Sequence, residues 1–265
     1  LPQPPAIGAL GSPFIELQSV DSTNNYALGL VHAGMAQHGM AIFGHEQVAG
    51  KGQRGRVWST EKNANIQLSI VVDPCPLAVT DQFRLSMCAA LAIHEIFKNY
   101  AGDETRIKWP NDLYWQDRKA GGVLIESVVT GEQATIGNPQ SAIHNWKWAV
   151  IGIGININQT SFPSELPNPV SLKQITGKHF DTVELAKELC GLMDKYFRLL
   201  LNDGFNTIHE LYNLSLYKKD QKVKLKKNTR VFEATIQSVL ASGQLVVQHA
   251  IEEEFNVGEV EWMIK

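Results

Sequence analysis

With 265 residues, 44% hydrophobic and 19% charged, the chain can bury one large core, or a large domain beside a small one. A net charge of -3 excludes a globally basic, nucleic-acid-tracking surface, so any anion chemistry must be local. Cys75, Cys88 and Cys190 form no CxxC or Cys/His cluster, which argues against zinc and a disulfide framework and for a reducing cytoplasm; no apolar run approaches the ~20 residues that cross a bilayer, and no signal peptide is visible.

Residues 1–13, with Pro2, Pro4, Pro5 and Pro13, read as a flexible lead-in, and Phe14–Leu17 as a short strand. Asp21-Ser22-Thr23-Asn24-Asn25 then precedes a helix expected from Tyr26 to about Gln37. These residue types cap helices, and their hydroxyls and amides at a helix start also suit a polar ligand; both readings stand. Met40–Glu46 reads as a strand, with Gln47 at its junction with Gly50-Lys51-Gly52-Gln53-Arg54-Gly55-Arg56-Val57-Trp58. There three glycines alternate with three cations. Glycine admits positive φ and close approach to an anion, and successive N–H groups of such a turn form a concave anion site. Lys51, Arg54 and Arg56 add full charges, and Trp58 offers a flat face to a heterocycle. A solvated basic loop is the plainer alternative.

Asn65–Val72 alternates as a strand, and Asp81–Tyr100 has helical period with Phe83, Met87, Leu91 and His94 on one face, where His94 fits the core edge better than catalysis. Thr105–Trp109, Leu113–Trp115 and Gly121–Val128 read as strands joined by turns at Pro110-Asn111-Asp112 and Gln116-Asp117-Arg118. Asn-Asp after proline is a normal turn, but Lys108 and Lys119 set one cation on each side of it, which a bare turn does not require. Residues 130–145 read as a hairpin tip. In Ile151-Gly152-Ile153-Gly154-Ile155-Asn156-Ile157-Asn158, period two sends the isoleucines to one face and leaves bare backbone ending in two amides on the other. Such a stripped face suits a floor under a small molecule, or close packing of a helix.

Residues 159–180 read as loop, 182–201 as an amphipathic helix with Leu185, Leu189, Leu192, Tyr196 and Leu199 on its stripe, and 205–214 as another helix. From Lys222 onward short strands dominate (222–226, 230–240, 244–249, 254–257 and 259–264), which suggests a small β-barrel. The lysines from Lys218 to Lys227 are balanced by Glu252, Glu253, Glu254, Glu259 and Glu261, a pattern of a solvated barrel rather than a phosphate-tracking face.

The motifs run, in order, DSTNN, EQVAGKGQRGRVW, KWPNDLYWQDRKAGGVLIE and GIGININ. This set resembles the biotin protein ligases over roughly residues 14–265. The resemblance implies an α+β fold: a mixed-sheet catalytic domain related to class II aminoacyl-tRNA synthetases over 14–216, then an SH3-like barrel over 217–265. About thirteen residues precede the first strand, so the catalytic-only form, without an N-terminal DNA-binding domain, is expected. The implied reaction joins biotin to ATP as biotinyl-5′-AMP with loss of pyrophosphate, then passes biotin to a lysine of a biotin carboxyl carrier protein. Biotin, ATP and that carrier are the expected partners, with Mg²⁺ accompanying ATP, no prosthetic group, no DNA and no membrane; a homodimer is compatible.

Carried over residue by residue, the resemblance assigns Ser22, Thr23, Asn24 and Gln47 to the biotin ureido ring, with Gly50, Lys51, Gly52, Gln53, Lys119 and Gly122 completing the biotin site. Lys51, Arg54, Arg56, Trp58, Lys108, Asn111, Lys119 and Asn156 fall to ATP, and Asp112 to Mg²⁺. Lys119, Arg54 and Lys108 are the implied catalytic residues, and Gly121 and Gly122 leave room for ligand. Many members carry arginine at the positions of Lys51 and Gln53; the loss of a charge at Gln53 predicts faster adenylate release than from a Gln53→Arg variant. The alternatives are a lipoate or octanoate ligase of the same superfamily, a biotin-sensing repressor, and a non-catalytic biotin-binding module.

Overall fold

The computed structural model describes residues 8–131 and 144–263. Seven strands, β1 (Phe14–Leu17), β2 (Ala41–Gly44), β3 (Ile66–Val72), β4 (Thr105–Lys108), β5 (Asp112–Trp115), β6 (Arg118–Gly131) and β7 (His144–Ile155), form one sheet in the order β1-β2-β3-β7-β6-β5-β4. Only β1 and β2 are parallel; every other neighbouring pair is antiparallel, giving the mixed sheet of an α+β fold. The helices are α1 (Thr23–His32), α2 (Gln82–Ala101), α3 (Leu172–Thr176), α4 (Thr182–Leu201) and α5 (Phe205–Leu214).

Period two in the central strands separates two cores. Ile66, Leu68 and Ile70 of β3 and Ile151, Ile153 and Ile155 of β7 join the apolar faces of α2 and α4, with Leu85, Ile93, Leu189, Met193 and Phe197 fully or almost fully buried among them. On the opposite face Val71 and Val150 join Ala27 of α1 and Ile42 of β2, while farther along β3 and β7 that face holds Gln67, Ser69, Gly152 and Gly154. α4 and α5 occupy the residues expected of them. His94 on α2 is buried, and its Nε2 lies 3.1 Å from the Thr105 carbonyl, a core-edge role as read from the sequence.

Four expectations need correction. α1 begins at Thr23, not Tyr26, so the polar run is the helix's first turn; it stops at His32 because Gly34 turns left-handed at φ 70 and bonds back to the Val31 carbonyl. The lead-in is not loose over residues 8–13: Leu10 is buried with its N–H on Asp194 Oδ1 at 3.0 Å, and the N–H groups of Gly11 and Ser12 both reach the Gly39 carbonyl. The loop 159–180 contains α3, started by a capping box in which Ser171 and Gln174 bond each other's backbone. β7 ends at Ile155, and Asn156 already lies beyond the strand. The tip between β6 and β7, residues 132–143, lies outside the described residues, as do residues 1–7 and 264–265.

A second, antiparallel sheet holds β8 (Lys222–Lys227), β9 (Arg230–Val239), β10 (Leu245–Gln248), β11 (Glu252–Phe255) and β12 (Glu261–Trp262), in the order β11-β10-β9-β8-β12. Its apolar residues Leu225, Ile236, Val239, Leu245 and Phe255 share the main core. Trp109 Nε1 donates to the Gly243 carbonyl at 2.8 Å, and Gly243 lies so close to the Phe83 ring that a Cβ would come within 2.5 Å of it. Half-exposed pairs such as Lys227–Glu253, 3.2 Å apart, contribute at most ~1 kcal/mol each, so burial rather than charge seats this sheet. No helix among the described residues is long and apolar enough to cross a membrane.

Candidate active site

One row of paired residues crosses five strands of the large sheet. Lys108 stands opposite Asp112, Asp112 opposite Gly122, Gly122 opposite Gly154, and Gly154 opposite Gln67. Residues directly opposite share a face, so this row lies on the α1 side of the sheet, away from the isoleucines. In the adjacent row Leu124, Gly152 and Ser69 are paired. Lys119 should point to the other face, since it lies three positions, an odd number, from Gly122. A β-bulge in β6 corrects this. Leu113 pairs with Gly121 but Tyr114 pairs with Lys119, which leaves Ala120 as the extra residue and turns Lys119 onto the face of Asp112. Lys119 Nζ then lies 2.6 Å from Asp112 Oδ1, and a Cβ on Gly122 would crowd that oxygen at 2.9 Å.

Beside this row the first turn of α1 builds a hydrogen-bonded recess. Ser22 holds the N-cap position but makes no side-chain cap bond. Gln47 Oε1 takes over, accepting from Thr23 N at 2.7 Å and from Thr23 Oγ1 at 3.0 Å. Ser69 Oγ lies 2.8 Å from Thr23 Oγ1 and 2.6 Å from Asn24 Oδ1, and Asn24 Nδ2 donates to Glu126 Oε2 at 2.7 Å. Glu126 Oε1 in turn faces Lys51 Nζ at 3.9 Å. Ser22, Thr23, Asn24 and Ser69 are all buried, and the Asn24 amide lies directly over Gly152, in the space a Cβ would take. The bare strip of β7 thus seats a helix residue at Gly152, while at Gly154 it seats the Trp58 indole, which a Cβ would approach to 2.5 Å.

The glycine-rich loop closes on itself. Lys51 bridges to Val57, Gly52 N donates to the Arg56 carbonyl, Arg56 N to the Gln53 carbonyl, and Trp58 N to the Gly50 carbonyl. These three N–H groups are spent inside the loop and are not free for an anion. Gly50 is required because the Trp58 carbonyl fills the space of a Cβ, while Gly55 and Arg54 supply the left-handed turn at φ 74 and 56. Gln53 opens the short 3-10 turn ahead of Arg54. The Arg54 guanidinium crosses to the second sheet and covers Gly258. Arg56 is exposed and its charge is felt at Lys108.

Burial pushes the Lys108 ammonium down to about 8; Asp112 opposes the shift, while Lys119 and Arg56 add to it. Asn111 spends its Nδ2 on the Val123 carbonyl of β6, and Asn156 spends its own on the Val170 carbonyl at 3.1 Å, tying the end of β7 to the segment before α3. Gly121 does not make room for a ligand as expected: a Cβ there would strike the Gly154 carbonyl at 2.6 Å, so its glycine serves strand packing. Sequence reasoning missed Ser69 and Glu126. Glu126 could have been found as a carboxylate closing the apolar run Val123-Leu124-Ile125; Ser69 had no signal beyond its place between Leu68 and Ile70.

Residues 16–138 match the model of the Biotin/lipoate A/B protein ligase family. The chain is 32% identical over 207 residues to the bifunctional ligase/repressor BirA of Bacillus spizizenii, covering 77% of this chain and 59% of that protein. It is 27% identical to the biotin--[acetyl-CoA-carboxylase] ligase of Paracoccus denitrificans, over 88% of this chain and 92% of that one. The solved biotin protein ligase of Aquifex aeolicus, in complex with biotin and ATP, superposes with a TM-score of 0.74 at 21% identity, covering 95% of this chain and 98% of its own. The chain spans about three-fifths of the length of the BirA relative. Over residues 16–138 it is thus similar to the biotin/lipoate A/B protein ligase family.

Proposed function

We propose that the chain is an ATP-dependent biotin–protein ligase, activating biotin as biotinyl-5′-AMP and transferring it to a lysine of a biotin carboxyl carrier protein. The observation that carries this reading is the row Lys108, Asp112 and Gly122, with Lys119 turned onto it, beside the recess of Thr23, Asn24, Ser69 and Gln47. The recess offers both donors and acceptors to a neutral ureido ring. A lipoyl dithiolane has no N–H or carbonyl to exchange with those groups, which favours biotin.

The chemistry asks two anions to meet. Lys119 stands where the biotin carboxylate attacks the α-phosphate; its ammonium, preset by Asp112, offsets the charge that builds in the transition state. Lys108, Arg54 and Arg56 offset the remaining phosphate charge as pyrophosphate leaves. Trp58 packs on the adenine, Asn111 and Asn156 fix the backbone of the nucleotide side, and Lys51, Gly50, Gly52 and Gln53 close the loop over the adenylate, keeping water out. In the second step the carrier's lysine amine attacks the anhydride carbonyl, the amide forms, AMP departs and the amine gives up its proton.

Among the described residues no three His, Cys, Asp or Glu side chains gather as a metal cage. One carboxylate, Asp112, fits a magnesium ion that arrives with its nucleotide and takes its other ligands from phosphate and water. Such an ion would supply further charge offset on the phosphates. We further infer that residues 14–216 are the class II synthetase-like catalytic unit and 217–265 an SH3-like unit. Pyrophosphate release dependent on both biotin and ATP tests the reading; none, with biotin bound, would leave a binding module, and lipoate-dependent release would make it a lipoate ligase.

A further inference from the structure

Lys108 belongs to the charged row, yet its ammonium makes no ion pair within 4.0 Å among the described residues, because Asp112 Oδ1 is taken by Lys119 at 2.6 Å. What surrounds it is aromatic. The Trp262 ring centroid lies 5.4 Å from Lys108 Nζ, and the Tyr114 centroid lies 5.2 Å from it. Tyr217 ties the two rings together, with centroids 5.1 Å from Tyr114 and 5.8 Å from Trp262, and its hydroxyl is pinned on Asp117 Oδ1 at 2.7 Å. Trp262 Nε1 is buried with no partner among the described residues, so the indole contributes its face and not its N–H. It is held there by β12, where Trp262 pairs with Leu225 and Met263 N reaches the Lys224 carbonyl.

A lysine has a long flexible stem, and without a carboxylate its ammonium is placed by whatever cages it. A ring face attracts a cation and also narrows its range. We propose that Trp262, supplied by the second sheet, is a positioning residue: with Tyr114 it fixes the Lys108 ammonium on the row of Asp112 and Gly122, where nucleotide phosphate is received. The role rests on the ligase reading only in that it assigns the nucleotide to this row. It also gives β12 a part in the site, although β12 is more than a hundred residues from the nearest sequence motif.

The test compares Trp262→Leu and Trp262→Phe in the full chain. Titration calorimetry with a non-hydrolysable ATP analogue and, separately, with biotin reads affinity; thermal melts read folding. Trp262→Leu is expected to weaken the analogue about tenfold, with biotin affinity within about twofold and Trp262→Phe recovering most of the loss, since phenylalanine keeps a π face and leucine only bulk. Analogue affinity unchanged in Trp262→Leu, or equally reduced in both variants, would overturn the proposal, the second result marking mere loss of packing. A wild-type chain that binds the analogue but releases no pyrophosphate with biotin and ATP would sink the ligase reading and leave this one standing; one that binds no nucleotide would sink both.

Discussion

Lys119 and Asp112 form an ion pair of 2.6 Å across the β5–β6 hairpin, and the pair exists only because one extra residue, Ala120, turns Lys119 onto the face that carries Asp112. In the proposed mechanism the ammonium acts on the charge that appears at the reacting centre, not on the ureido ring. Lys119→Ala is therefore expected to slow pyrophosphate release on the order of a hundredfold or more while biotin affinity changes by only a few fold. Stopped-flow pyrophosphate detection beside biotin calorimetry separates the two; equal losses in both would remove Lys119 from the chemistry.

Gly152 makes a second prediction, because a Cβ there falls on the Asn24 amide. Gly152→Ala must push Asn24 away from Ser69 and Glu126, an overpacking cost of ~1–3 kcal/mol. Biotin affinity should drop about tenfold with ATP affinity nearly intact. Unaltered biotin binding in this variant would show that the recess is not where biotin sits.

Arg54 and Gly258 make a third. Arg54→Ala removes a guanidinium assigned to phosphate and should weaken ATP about tenfold or more, leaving biotin within twofold. Gly258→Val should shift ATP affinity in the same direction, since a side chain there occupies the space of that guanidinium and Gly258 itself sits at φ +94. Titrating each ligand against both variants checks this; biotin falling with ATP would contradict it.

How much of this was legible beforehand can be judged from particular residues. The helices α4 and α5, and the four motifs, follow from helical or twofold period and from side-chain chemistry, and both are local properties of the chain. The capping box Ser171-Leu172-Lys173-Gln174 was equally local, yet the prolines and asparagines around it masked α3. The side on which Lys119 emerges was not legible, because it depends on a bulge and period-two reasoning gives the opposite answer. Nor were Trp262 above Lys108 and Gly258 beneath Arg54, which are tertiary contacts between residues 154 and 204 positions apart that leave no mark on either segment.

His94 gives a pH dependence. Burial lowers its folded value from 6.5 to about 4, so the imidazole stays neutral in the fold and its N–H can donate to the Thr105 carbonyl. A depressed histidine contributes stability that is complete above the unfolded value and is lost as pH falls from about 6.5 toward 4, up to about 3 kcal/mol. His94→Gln keeps a donor but cannot titrate, so denaturant midpoints between pH 7.5 and pH 4.5 should fall less for the variant than for the wild type. Parallel declines would assign the acid sensitivity to other groups.

The central claim, that this chain activates biotin with ATP and hands it to a carrier lysine, is met most directly by mass spectrometry of a biotin carboxyl carrier domain incubated with the protein, biotin, ATP and magnesium. The account predicts a mass gain of one biotinyl group on a single lysine, absent without ATP and strongly reduced with Lys119→Ala. A carrier that keeps its mass while the protein demonstrably binds biotin and ATP would contradict it.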